Sequence, residues 1–182
     1  MNTVPYKLVG WICVGLLIAA VASSLYMAKL RSTTLKSVKV TFVGEEELRD
    51  HDLPLIKQRE ALPDYGLYLN HRRHGRILLN THLDQSAKEG LAWDDFEEYS
   101  VEDISAVRLF DEDKIISEDL AEVRISAEPV TLNEYQFEFT VEESFDVGLK
   151  SFWDTPVGTA VIWSIGIVLL VMIGAAIGPY LS

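Results

Sequence analysis

The chain has 182 residues, 48% of them apolar, and 28 Asp+Glu against 16 Lys+Arg give it a formal net charge of −12. That balance argues against nucleic acid as a partner and against passive adhesion to anionic lipid, since both carry the same sign. Cys13 is the sole cysteine, so an intrachain disulfide is excluded.

Leu8 to Ala28 is uncharged. At about 1.5 Å per residue it is long enough to cross a hydrocarbon layer, and residues 1–29 are read as a first transmembrane helix. The rival reading is a cleaved signal peptide, because Ala20-Val21-Ala22 has the small-residue pattern of a cleavage site. Against it stand a basic start of Lys7 alone and an apolar run longer than most such signals. Residues 30–36 read as a basic linker. Lys29, Arg31, Lys36 and Lys39 follow the span and only Lys7 precedes it. The positive-inside tendency therefore places the central domain in the cytoplasm. The alternative is extracytoplasmic, since a loop of this length can be translocated regardless of flanking charge.

The other end mirrors the first. After a short linker, 149–155, residues 156–182 contain no charge and read as a second transmembrane helix. Gly15, Ala19 and Ser23 form a row of small residues at helical spacing, as do Gly174 and Gly178. Such rows favour close helix pairing in lipid, by self-association or with a membrane-protein partner. Glycine and alanine are also simply common in membrane spans. Neither span holds an ionisable side chain, so an ion or proton path through them has no support.

All 28 acidic residues and 14 of the 16 Lys+Arg lie between residues 30 and 155. There the apolar pattern has period two: Val38, Val40 and Phe42 alternate with Lys39 and Thr41, and Phe137, Phe139 and Val141 alternate with Gln136, Glu138 and Thr140. Such alternation buries one face of a strand. It predicts strands over 37–44, 65–70, 76–84, 91–99, 104–111, 120–127 and 135–143. Segment 45–63 reads as a helical turn or a short extra strand. Short amphipathic strands in close succession predict a mainly β antiparallel sandwich over 37–148.

Asp111, Asp113 and Asp119 stand at relative positions 1, 3 and 9 of one turn, around a tip with Ile115 and Ile116. Crowded carboxylates repel one another, and calcium, which takes many oxygen ligands, is the usual remedy. Without metal the segment is a solvated acidic turn. An EF-hand does not fit, because its fifth and sixth positions are Ile115 and Ile116, where that loop needs an oxygen ligand and a glycine. The two isoleucines would enter lipid once a cation cancels the local charge; alternatively, one of them packs beneath the loop.

Four stretches resemble C2 domains, the calcium- and phospholipid-binding β-sandwich modules. Pro63-Asp64-Tyr65-Gly66-Leu67-Tyr68-Leu69 is similar to the family's aspartate-led second strand. Trp93-Asp94-Asp95-Phe96 resembles the Trp-x-Glu-x-Phe strand, with Phe96 one residue early. Ile104 to Asp113 resembles the strand entering the third calcium loop, and Asp119-Leu120-Ala121-Glu122-Val123 the Asp-x-Ile-Gly-Glu after it. The resemblance covers about residues 37–143 and implies that Asp64, Asp111, Asp113 and Asp119 are calcium ligands. The family's remaining aspartate is absent; Gln58 stands there beside Lys57, with Asp50 and Asp52 as the nearby substitutes.

His71-Arg72-Arg73-His74 reads as a solvated hairpin tip, or as a contact for lipid phosphates or an acidic partner. Trp93 and Tyr99 read as core aromatics, and Trp11, Trp153 and Trp163 as residues of membrane boundaries or spans. No histidine spacing suits zinc, and no catalytic fingerprint appears. The sequence thus predicts a membrane-tethered binding module or accessory subunit, not an enzyme, acting on lipid or protein through the acidic loop. The alternative is a metal-free scaffold subunit of a membrane complex.

Overall fold

The computed structural model describes residues 6–44, 62–112 and 118–181. Asp50, Asp52, Lys57 and Gln58 lie outside these residues, as do Asp113, Ile115 and Ile116. The chain divides into two units, one running from Thr33 to Glu143 and the other formed by the segments on either side.

Among the described residues the first unit has nine strands in two antiparallel sheets: β1 (Thr33–Phe42), β2 (Tyr65–His71), β3 (Gly75–Leu78), β4 (Leu91–Trp93), β5 (Tyr99–Ser100), β6 (Ile104–Asp111), β7 (Glu118–Val123), β8 (Val130–Leu132) and β9 (Tyr135–Glu143). One sheet has the order β4-β1-β9-β8, with β5 also on β1; the other has the order β3-β2-β6-β7. Val38, Val40 and Phe137 of the first sheet share one apolar core with Leu67, Leu69, Val107, Leu109 and Val123 of the second. The predicted mainly β sandwich is the observed fold. Alternation places these side chains inward, and each contributes on the order of 1.5–3 kcal/mol when fully buried.

Strand limits depart from the sequence reading where the alternation slips. β1 begins at Thr33 rather than 37, because a bulge between Leu35 and Ser37 absorbs Lys36 and returns Leu35 to the core. The predicted strand 91–99 is two short strands on the same edge of β1, interrupted by residues 94–98. The predicted strand 76–84 stops at Leu78, and beyond it His82 makes a single bridge to Tyr65. The reading from periodicity does not contain β8. It is three residues long and turns into β9 through Asn133 and Glu134, both at positive φ, and the Asn-Glu pair is not the usual Asn-Gly hairpin signal.

The other unit holds α1 (Tyr6–Leu30), α2 (Phe145–Trp153) and α3 (Pro156–Leu181). α1 and α3 are each long and apolar enough to cross a membrane, and their large side chains, such as Trp11, Ile18, Trp163 and Leu170, are exposed. Along α1, Cys13, Ser24 and Ala28 are buried, with Leu17, Ala20 and Met27 half-buried. Along α3, Gly158 is buried, with Val161, Ile165, Val168, Met172 and Ala175 half-buried. Steps of three and four residues are those of a helix-pair seam, and α1 packs on α3. Ser24 and Ser164 each return the hydroxyl to the carbonyl four residues back, at 2.9 and 2.7 Å, which suits an apolar surrounding. Between α2 and α3, Thr155 Oγ1 donates to the Phe152 carbonyl and accepts from the Gly158 amide. Pro156 then takes the first helical position, where its missing N–H costs nothing.

The row of small residues on α1 lies off the α1–α3 contact. Gly15, Ala19 and Ser23 are exposed, and a Cβ on Gly15 or Gly174 would meet nothing within 4 Å. Gly178 lies outside the residues whose packing is described. The close approach occurs at Gly148, where a Cβ would stand 2.1 Å from the Ala28 carbonyl oxygen.

Candidate acidic rim

The strand register carries Asp64 and Asp111, 47 residues apart, to one end of the sandwich. Tyr65 pairs with Asp111, and Asp111 with Glu118. Phe42 pairs with Tyr135 at the same end, where the Tyr135 ring lies 5.0 Å from Phe42 and 6.0 Å from Tyr65. At the opposite end Thr33 pairs with Glu143, so the chain enters and leaves the sandwich there. β1 has 10 residues between these ends, roughly 30 Å at about 3.3 Å per residue.

Within the rim the carboxylates have protein partners. Asp111 is 3% exposed, and its Oδ1 accepts from the Asp64 amide at 2.9 Å. The Asp64 carbonyl accepts from the Glu112 amide at 2.8 Å. Asp64 Oδ1 accepts from the Asp84 amide at 2.7 Å, and Asp84 Oδ1 from the Leu62 amide at 3.0 Å. Glu112 Oε2 accepts from the Thr81 hydroxyl at 2.6 Å. Asp119, 57% exposed, is paired with the Arg108 guanidinium, and Glu122 stands 3.8 Å from Arg108 Nε. Exposed ion pairs of this kind contribute about 0.2–1 kcal/mol.

Three of the four sequence-predicted ligands are therefore described. Asp64 and Asp111 meet at one rim, whereas Asp119 turns to Arg108. Among the described residues no group of three or more His, Cys, Asp or Glu side chains could hold a metal ion; Asp113, the fourth expected ligand, lies outside them. The sequence reading missed Arg108 and Asp84. Arg108 has a legible signal, a cation alternating between Val107 and Leu109 on a strand whose hairpin partner carries Asp119 and Glu122. Asp84 reaches the rim only through the His82–Tyr65 bridge and has none.

The structural role of Asp111 is testable. Asp111→Ala leaves the Asp64 amide without its acceptor and is expected to cost about 1–3 kcal/mol. Asp111→Asn keeps a side-chain oxygen and should lose less. Urea unfolding of both variants measures the difference; equal stability of the alanine variant and the parent would remove Asp111 from this role.

The basic cluster is not wholly a solvated tip. His71 is 7% exposed, and its Nδ1 accepts from the Arg73 and His74 amides at 3.2 and 3.1 Å. Arg73 pairs with the buried Asp103 at 3.1 Å. Arg72 and His74 are exposed, and the His74 ring lies 4.5 Å from that of His71. Trp93 is in the core as expected, with its indole N–H on the Asn80 carbonyl and its ring edge-on to His82. On β1, the hydrogen bond to Glu98, then the charges of Glu98 and Glu142, hold Lys36 above its ordinary pKa of 10.5.

No family model matches the chain, and no curated protein does. Among solved structures it is similar to human GIVD cytosolic phospholipase A2 in complex with methyl gamma-linolenyl fluorophosphonate, at 17% identity and a TM-score of 0.39. That match covers 62% of this chain and 17% of the phospholipase chain. It is also similar to BON1-C2B, at 14% identity and a TM-score of 0.37, covering 64% of this chain and 96% of that one.

Proposed function

We propose that the chain is a bilayer-anchored, C2-like binding module, an accessory subunit rather than an enzyme, whose acidic rim receives a protein partner without a metal ion. The supporting observation is that Asp64, Asp111 and Asp119 each already accept from a protein donor. Arg108 in particular offsets the charge of Asp119 and Glu122. In this reading α1 and α3 cross the bilayer, since no other solvent suits two long helices with their large apolar side chains outward. In this reading the sandwich is cytoplasmic, supported by Lys29, Arg31, Lys36 and Lys39 following the first span. The exposed rows at Gly15, Ala19 and Ser23 and at Gly174 remain for pairing with a second chain in lipid.

A second reading keeps calcium, favoured by the meeting of Asp64 and Asp111 at the rim from which residues 113–117 continue in sequence. There calcium would use Asp113 with Asp64, Asp111 and Asp119, and the tip at Ile115 and Ile116 would face lipid. Calorimetry of the full chain in nanodiscs separates the two. The first reading expects no saturable heat with millimolar calcium and a stoichiometric subunit retained through mild-detergent purification. Saturable heat that Asp111→Asn weakens, with calcium-dependent binding to liposomes, would overturn it in favour of the second.

A further inference from the structure

α2 is joined to α3 by Asp154 and Thr155 alone and packs on the last turn of α1. Gly148 lies against Ala28 and Ser32, and Arg31 Nε donates to Ser151 Oγ at 2.6 Å. This side of the helix, with Phe152, is buried. Successive residues of a helix are about 100° apart, so the apolar sector of α2 is wider than the side that packs. Phe145, Leu149 and Trp153, at steps of four, form a neighbouring stripe, with Phe145 45% and Trp153 41% exposed. Asp146, Lys150 and Asp154 occupy the sector beyond it.

We propose that this stripe is a lipid-binding surface: α2 is an interfacial helix, with Phe145, Leu149 and Trp153 set in the headgroup–acyl boundary of the bilayer. The inference rests on reading α1 and α3 as membrane spans. The occupant follows from continuity, because α2 sits where α1 ends and α3 begins, the level at which a span meets the headgroups. Composition agrees, since amphipathic aromatic rings favour that layer, and a helix with one apolar and one charged sector lies in its plane. The polar sector of Asp146, Lys150 and Asp154 then faces water.

Nitroxide labels on the full chain in nanodiscs of phosphatidylcholine with phosphatidylglycerol test this. In a Cys13→Ala background, single labels are placed through Phe145→Cys, Trp153→Cys, Lys150→Cys and Ile167→Cys. Labels at 145 and 153 are expected to relax more with oxygen, and less with an aqueous nickel chelate, than the label at 150, and to lie shallower than that at 167. If 145 and 153 are as open to nickel as 150 while 167 is shielded, α2 lies in water and the proposal is overturned. If they are closed to both relaxants, a protein covers the stripe and it is equally overturned. Nickel access at 167 would defeat the spans themselves, a failure distinguishable from the other two.

Discussion

Phe137→Ala is expected to lower the stability of the sandwich by about 3–5 kcal/mol, the usual cost of emptying an aromatic site in a core. The ring is fully buried, three residues into β9. Val40 stands opposite on one side and Val130 on the other, and the Phe139 ring stacks at 6.4 Å. Collapse into the void is resisted because β9 is hydrogen-bonded along both edges, to β1 and β8. A domain is stable by only about 5–15 kcal/mol in all, so one side chain accounts for a large share. Urea unfolding of the full chain in micelles, followed by far-ultraviolet circular dichroism, reads the change. A loss under about 0.5 kcal/mol, the range of a surface change, would mean that Phe137 is not where the two sheets meet.

Gly148→Leu is expected to unseat α2 from α1. The first added carbon would lie 2.1 Å from the Ala28 carbonyl oxygen and 3.0 Å from Ser32 backbone atoms. Backbone cannot rotate away as a side chain does, so the helices must part. Overpacking costs about 1–3 kcal/mol where neighbours can yield, and this site stands at the upper end. Separation would also break the Arg31–Ser151 hydrogen bond. Trypsin cleavage after Lys150 measures the release and should accelerate. Gly174→Leu is the control, because a Cβ there meets nothing within 4 Å, and its cleavage should match the parent. Parent-like cleavage of Gly148→Leu would deny the contact.

Both predictions concern places where local pattern and long-range packing carry different information. The spans at Leu8 to Ala28 and from Pro156 onward are legible because crossing lipid demands an unbroken apolar length whatever surrounds it. The sandwich is legible because alternation such as Val38-Lys39-Val40 and Phe137-Glu138-Phe139 is a property of one strand and its two faces. Even the convergence of Asp64 with Asp111 was implied, through a family resemblance rather than through spacing.

What the sequence could not decide depends on a partner brought from elsewhere in the chain. The bulge at Lys36 and the extra residue at Leu120 shift the alternation, and only pairing with β9 and β6 says where. The nine residues of α2 are too few for helical periodicity to stand out. α1 offers small residues on more than one face, and the packing selects the face with Ser24 and Ala28 over that with Gly15, Ala19 and Ser23. Asp119 is counted as a metal ligand or as an ion-pair partner according to a neighbour, Arg108, that a hairpin register supplies. Composition and periodicity are local and survive in an isolated segment. Which carboxylate meets which donor is settled only when the strands align.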